Sequence, residues 1–310
     1  MISVAVILLL MISFSMPAYA TEQEMSTIPW FQQYFSEKNY SESESLLTPN
    51  QKTLLDESVV QYNQSITQNG YTITLLSGIS DGCRSFLNFK INSPDGKVLD
   101  GDYSLIYEIK EDLHYEDDAD NSSHNTNRDK ARVSFATMSV LEDPDPYDNS
   151  ITMLCEYGIS DSAFSSGSIQ VSISKIIESP ANQAETSQNV ICSGDWTFSI
   201  ELPEVQQAIE LLSSPERCAA KRCFRRWYFD INVKVTSFQL RTFSATLLYD
   251  KPLTGFWEGI TLGPIYLVMN DGSQIKAISS TGANCGDYME CTYTFDQPIS
   301  YEDVAYVSFP

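Results

Sequence analysis

Histidine is nearly missing from this chain of 310 residues, in which His114 and His124 are the only two. Hydrolytic and transfer chemistry usually needs a positioned base, and histidine is the commonest choice. Both histidines fall in the polar stretch Glu111–Arg132, which reads as a mobile loop. Such a loop is a poor place to hold a nucleophile and its base within hydrogen-bond reach. A G-x-S-x-G elbow, a Walker loop, an H-E-x-x-H helix and a C-x-x-C pair are missing too. Acyl transfer, phosphoryl transfer and zinc proteolysis therefore lack their usual residues. Carboxylates abound, but abundance says nothing about position, so it does not build a glycosidase pair. We read the chain as non-enzymatic, with no catalytic residue and no cofactor.

Basic residues are scarce as well. Nineteen Lys and Arg stand against 41 Asp and Glu, a formal charge of -22. A field of that sign repels phosphate backbones, which excludes a nucleic-acid partner, and it hinders docking on anionic lipid. It keeps an exported protein soluble; the sharper alternative is acidity suited to a basic ligand.

No Lys or Arg occurs before Lys38. Residues 1–20 centre on the apolar run Val4–Ile12, then Pro17 and the small-residue triplet Ala18-Tyr19-Ala20. They read as a signal peptide cleaved after Ala20, or, since the basic n-region is lacking, as the remains of a membrane anchor whose true start lies upstream. Either way the rest of the chain is expected outside the cytoplasm.

Seven cysteines leave at least one unpaired. Cys285 and Cys291 flank the Gly286-Asp287 turn and could face one another across a hairpin; Cys218 and Cys223 are close in sequence where a helix gives way to a strand. The four together could form a thiolate zinc site at a spacing wider than usual. Cys83, Cys155 and Cys192 lie in apolar strand patterns and read as small buried side chains.

What is present is a two-residue rhythm. Tyr71, Ile73 and Leu75; Leu87, Phe89 and Ile91; and Tyr103 to Ile109 each alternate with polar residues. So do Val133–Val140, Ile151–Tyr157, Ile169–Ile173 and Trp196 to Leu202. These are about seven half-buried strands, enough for one sandwich. Before them, Ile28–Tyr34 and Pro49–Tyr62 have helical character, the second with Thr48 as N-cap. After them, Val205, Ile209 and Leu212 share one helical face, which predicts a short helix in a linker. A second series follows in Phe229–Val235, Phe238–Leu248 with a bulge near Arg241-Thr242, Ile265–Met269, the Asn270-Asp271-Gly272 turn, Ile275–Ile278, Tyr293 with Phe295, and Val304–Phe309.

The fold expected is all-β: two immunoglobulin-like antiparallel β-sandwich domains with a short helical N-terminal segment and a helical linker. The expected boundaries are 1–20 for the leader, 21–64 for the helical segment, 65–203 for the first domain, 204–226 for the linker and 227–310 for the second domain.

Three groups are candidate ligand sites. Asp117, Asp118, Asp120, Asp143, Asp145 and Asp148 could supply oxygens to calcium, though no D-x-D-x-D-G loop fixes their geometry. Arg217, Lys221, Arg222, Arg225 and Arg226 form a basic cluster, read either as partners of the first domain's carboxylates after a helix C-terminus or as an anion site. Trp257 in Gly255-Phe256-Trp257-Glu258-Gly259 has loop-like flanks and could stack a sugar, whereas Trp196 opens the cleanest strand and reads as core.

The runs Asn69–Leu75, Ser80-Asp81-Gly82, Pro94–Asp102 and Gly194–Leu202 resemble a family of Gram-positive bacterial proteins classed as a domain of unknown function. Ile209–Pro215, Val235–Leu240 with Ser244-Ala245-Thr246, and Val268–Ser273 resemble its companion C-terminal immunoglobulin-like domain. The resemblance spans most of the chain after Leu46. Members form the extracytoplasmic part of single-span membrane proteins, some similar to anti-sigma factors. The resemblance therefore implies a sensing or structural ectodomain at the cell surface and carries over no catalytic residue. This sequence departs from the pattern in lacking the cytoplasmic sigma-binding segment, so the expectation is either an upstream start or a secreted relative that kept the ectodomain. A secreted carbohydrate- or cell-wall-binding protein is the alternative, with an unknown protein or wall component as partner; we expect a monomer.

Overall fold

The computed structural model describes Phe31, Tyr34, Phe35, residues 47–94, 96–115, 133–141, 145, 147–159, 164–178, 189–202, 208–224, 227–250, 260–285 and 288–308. Most of these are strand, and every strand pairing among them is antiparallel. An all-β fold follows from the rhythm of the sequence, because alternate side chains of a strand point to opposite faces. Residues 1–20 lie outside the described set, in which no helix is long and apolar enough to cross a membrane.

Helix α1 (Pro49–Ser58) starts where Thr48 predicts. The Thr48 Oγ1 accepts the Gln51 N–H at 3.1 Å and the Gln51 Oε1 accepts the Thr48 N–H at 2.9 Å, a reciprocal capping box with Pro49 at the first helical position. The helix stops at Ser58, short of the expected Tyr62. Val59 and Val60 are β-branched and favour extended backbone, and strand β1 (Val60–Gln68) begins at once. The first β series thus starts at Val60 and not at residue 65.

Seven further strands follow: β2 (Tyr71–Ser80), β3 (Arg84–Asn92), β4 (Tyr103–Tyr115), β5 (Val133–Val140), β6 (Ser150–Ile159), β7 (Phe164–Glu178) and β8 (Asn189–Leu202). Strand β4 runs on through His114, so the start of the presumed loop is strand. One sheet has the order β1-β2-β3-β6-β5 and the other β4-β7-β8. Between them lie Leu75, Phe89, Met153 and Tyr157 from the first and Val171, Trp196 and Phe198 from the second. Trp196 is fully buried and its Nε1–H donates to the Tyr71 carbonyl at 3.3 Å.

The second series contains β9 (Ile209–Glu210), β10 (Glu216–Phe224), β11 (Trp227–Leu240), β12 (Ser244–Asp250), β13 (Ile260–Thr261), β14 (Tyr266–Met269), β15 (Gln274–Lys276), β16 (Ser279–Cys285), β17 (Tyr288–Thr294) and β18 (Val304–Ser308). The larger sheet has the order β13-β10-β11-β12-β17-β16, with β9 also on β11, and the smaller is β15-β14-β18. Phe238, Leu247, Leu267 and Phe295 fill the space between.

Two expectations fail here. The predicted linker helix is absent from the described part of 204–226, where β9 and β10 both pair with β11. Ile209 and Leu212 fit a helical face by spacing alone; the long β11 supplies a partner edge that local periodicity cannot see. And Arg241-Thr242-Phe243 is the turn between β11 and β12, closed by the Arg241 N–H to the Ser244 carbonyl at 2.8 Å, while the bulge lies between Val235 and Ser237.

A third apolar cluster covers the outer face of the first sheet. It joins Ile79, Phe86 and Leu154 to Phe31, Phe35, Leu47, Leu55 and Phe243. Strand β3, expected to be half-buried, is therefore buried on both faces from Arg84 to Phe89.

Candidate binding cleft at the domain junction

The two sheet pairs meet turn to turn. The β2–β3 turn carries Asp81 and Arg84; the β11–β12 turn carries Arg241, Phe243 and Ser244. Asp81 is fully buried. Its Oδ1 accepts the N–H groups of Cys83 at 2.9 Å and Arg84 at 2.8 Å within its own turn. Its Oδ2 accepts the Phe243 N–H and the Ser244 hydroxyl, both at 2.8 Å, from the opposing turn. A buried carboxylate is tolerable when both oxygens are satisfied in this way.

Arg84 is buried beside it. Its Nε and Nη2 reach Glu156 Oε1 at 2.9 and 2.5 Å, its Nη1 donates to the Phe295 carbonyl, and its guanidinium lies 4.9 Å from the Phe86 ring centre. Arg241 donates from Nη1 to Thr246 Oγ1 at 2.9 Å and approaches Cys83 Sγ at 3.8 Å, while its Nε–H finds no acceptor. Burial pushes the Cys83 thiol up to about 12, against the pull of Arg241. Through the Asp81 bonds to Phe243 and Ser244, this buried set joins the two turns.

Helix α1 ties the same region together. Asp303 accepts from Thr48 Oγ1 at 2.6 Å and from Asn50 Nδ2 at 2.7 Å, and Gln51 Nε2 donates to the Pro298 carbonyl at 2.7 Å. Between α1 and the second sheet pair lies a cleft of about 390 Å³. Leu54, Ile209, Leu240 and Ile299 supply apolar wall, and Asn50, Glu57, Arg241, Tyr301 and Glu302 the polar groups. Tyr301 is 51% exposed. That volume lies within the range of small-molecule sites, roughly 300–1,000 Å³.

None of the sequence candidates is among the residues that line this cleft. Asp117, Asp118, Asp120, Asp143, Arg225, Arg226 and Trp257 lie outside the described residues. Asp145 and Asp148 sit in a turn where their carboxylates accept from Tyr147 N–H and from the Ser150 N–H and hydroxyl. Among the described residues no group of His, Cys, Asp or Glu could hold a metal ion. Arg217, Lys221 and Arg222 ride on β10, not behind a helix C-terminus. The Arg222 backbone stands opposite Phe229 and Ile260 in the sheet.

The cysteines of the two suggested disulfides take these places on their strands. Cys285 stands opposite Tyr288 and Cys291 opposite Gly282 in the β16–β17 hairpin, and Cys291 is a free thiol. Cys218 and Cys223 lie five positions apart on β10, about 17 Å at strand rise, against a bridging limit of about 7 Å between Cα atoms. Strands β11 and β12 lie between β10 and β17 in the sheet order. Cys83, Cys155 and Cys192 are buried free thiols, as the apolar strand pattern predicts.

Sequence reasoning missed the cleft. Asn50, Glu57, Arg241 and Tyr301 come from three distant parts of the chain, and no local pattern marks them.

No family model matches the chain, and no curated protein matches it. Among solved structures, the conserved domain protein from Bacillus anthracis is similar over 87% of this chain and 81% of its own, at 13% identity and a TM-score of 0.49. The CupB6 tip adhesin from Pseudomonas aeruginosa aligns over 81% of this chain and 91% of its own, at 10% identity and a TM-score of 0.16.

Proposed function

We propose that the chain is a non-enzymatic extracytoplasmic sensing or interaction module at a bacterial cell surface, of the ectodomain type found in anti-sigma-factor-like regulators. In this reading its two sheet pairs are immunoglobulin-like β-sandwich domains, β1–β8 and β9–β18. The observation that carries it is the cleft at the junction. It is walled on one side by α1, which follows the N-terminal segment, and on the other by the second sheet pair, so an occupant touches both. Because α1 is tied to Asp303 and Pro298, the cleft is held ready for an occupant, as recognition by an interaction module requires.

The test is protease shaving of intact cells carrying an epitope in the Asn270-Asp271-Gly272 turn. Loss of the epitope from intact cells is the expected result; an epitope that survives until the cells are lysed refutes the reading. Turnover of a hydrolase substrate, abolished by changing one carboxylate, would overturn the non-enzymatic part.

The runner-up, a secreted carbohydrate- or cell-wall-binding protein, is favoured by one observation: an exposed tyrosine and several planar polar side chains line the same cleft. A glycan pull-down whose retention depends on Trp257 would place the site on that residue instead.

A further inference from the structure

The residues lining the cleft narrow the chemistry of what fits there. An anion is disfavoured. The chain carries a formal charge of -22, Glu57 and Glu302 both line the cleft, and the one cation among the lining residues, Arg241, is buried. Its Nη1 is engaged by Thr246, and the Asp81 carboxylate acts on the same Cys83 thiol that Arg241 touches. A wholly apolar ligand is disfavoured as well, since it would strip water from Asn50, Glu57 and Glu302 without returning a hydrogen bond.

A ligand with an apolar face and many hydroxyls suits both the apolar wall and the acceptors that line the cleft. Sugar rings have both: the C–H face packs on an aromatic ring, and each hydroxyl donates and accepts. Tyr301 offers the ring, half exposed. Glu57 is exposed and offers two acceptor oxygens, and Glu302 offers the same beside the Tyr301 hydroxyl. Asn50 gives its Nδ2–H to Asp303, which orients its amide so that Oδ1 remains an acceptor. Because α1 is tied to Asp303 and Pro298, these groups are held in place before any ligand arrives, which lowers the ordering cost of binding.

We infer that the cleft beside α1 binds a short uncharged saccharide, with the Tyr301 ring as stacking platform and Glu57, Glu302 and Asn50 as hydroxyl partners. This rests on the reading of the chain as an interaction module and names its ligand class.

The experiment is calorimetric titration of the full chain with N-acetylglucosamine trimer, cellotriose and maltotriose, with spermidine as a cationic control. At least one trisaccharide is expected to bind. Tyr301→Ala should then weaken it by about tenfold or more, Glu57→Ala should weaken it too, and Tyr301→Phe, which keeps the ring, should hold affinity within about twofold. Both positions are exposed, so an unchanged melting midpoint shows that the variants fold. Binding of none of the three sugars, binding of spermidine alone, or sugar binding indifferent to Tyr301 and Glu57 overturns the inference. Surface shaving decides the broader reading separately, so a surface-exposed protein that ignores all three sugars loses its ligand class and not its location.

Discussion

Asp81 and Phe243 are 162 positions apart in the chain and belong to different sheet pairs, yet the Phe243 N–H donates to Asp81 Oδ2 at 2.8 Å. With the Ser244 hydroxyl on the same oxygen and two N–H groups on Oδ1, one buried carboxylate closes its own turn and clasps the opposing one.

Asp81→Asn tests the clasp. An amide has one acceptor oxygen, so either orientation sets an NH2 group against two donors. We expect a loss of about 3 kcal/mol in urea unfolding, given that a bond to a charged acceptor contributes roughly 1.5–3 kcal/mol. A loss under about 1 kcal/mol would mean the two turns do not depend on it.

Phe35 packs edge-on against Phe86 of the first sheet pair, with centroids 5.2 Å apart, and stacks on Phe243 of the second at 5.3 Å. It is wedged between bodies. Phe35→Ala should cost about 3–4 kcal/mol and split calorimetric melting into two transitions, because the cavity opens between the units and not within either. One transition at the original midpoint would contradict the wedge.

Gly194 lies against the Trp196 ring: a Cβ there would sit 2.6 Å from the nearest ring carbon. Trp196 cannot retreat, being fully buried and bonded to the Tyr71 carbonyl. Gly194→Ala should destabilise by about 2 kcal/mol, with altered tryptophan fluorescence; an unchanged denaturation midpoint would show that the ring can move.

Alkaline pH should weaken the fold above pH 9. Burial pushes the thiols of Cys83 and Cys155 from 9.0 up to about 12 and that of Cys291 to about 11. Below 9 both folded and unfolded chains keep these protons and nothing changes. Above it the unfolded chain releases them first, so the folded state holds more protons and stability falls by about 1.4 kcal/mol per pH unit for each thiol. Urea midpoints from about pH 8 to 10 should show the fall, and Cys83→Ala should make it shallower; a flat profile would put the thiols in water.

Cys285 is set opposite Tyr288 and Cys291 opposite Gly282 in the β16–β17 hairpin, and Cys218 and Cys223 stand five positions apart along β10. Non-reducing peptide mapping should find neither Cys285–Cys291 nor Cys218–Cys223, and Cys83 and Cys155 should resist alkylation until the chain unfolds. Recovery of either bridged peptide would contradict the register.

Much of the first sheet pair was legible because its signal is local. Tyr71-Ile73-Leu75 and Trp196-Phe198-Ile200 alternate cleanly, and the strands form there. Val60–Gln68 escaped notice because Gln61, Asn63 and Gln64 break the rhythm, and a bulge with Asn63 at φ 51 lies in that stretch. Glu216–Phe224 escaped because its alternate residues are Cys, Ala and Lys, too small or too polar to mark a strand without β11 beside it.

Periodicity, turn residues and the Thr48 cap are properties of a few neighbouring positions, so an all-β body, the buried Trp196 and the start of α1 were written in the chain alone. The two-sided burial of β3, the Asp81 clasp and the cleft of Asn50, Glu57, Arg241 and Tyr301 were decided only in three dimensions. Each brings together groups far apart along the chain, and the free energy that selects such contacts exists only once the sheets have packed.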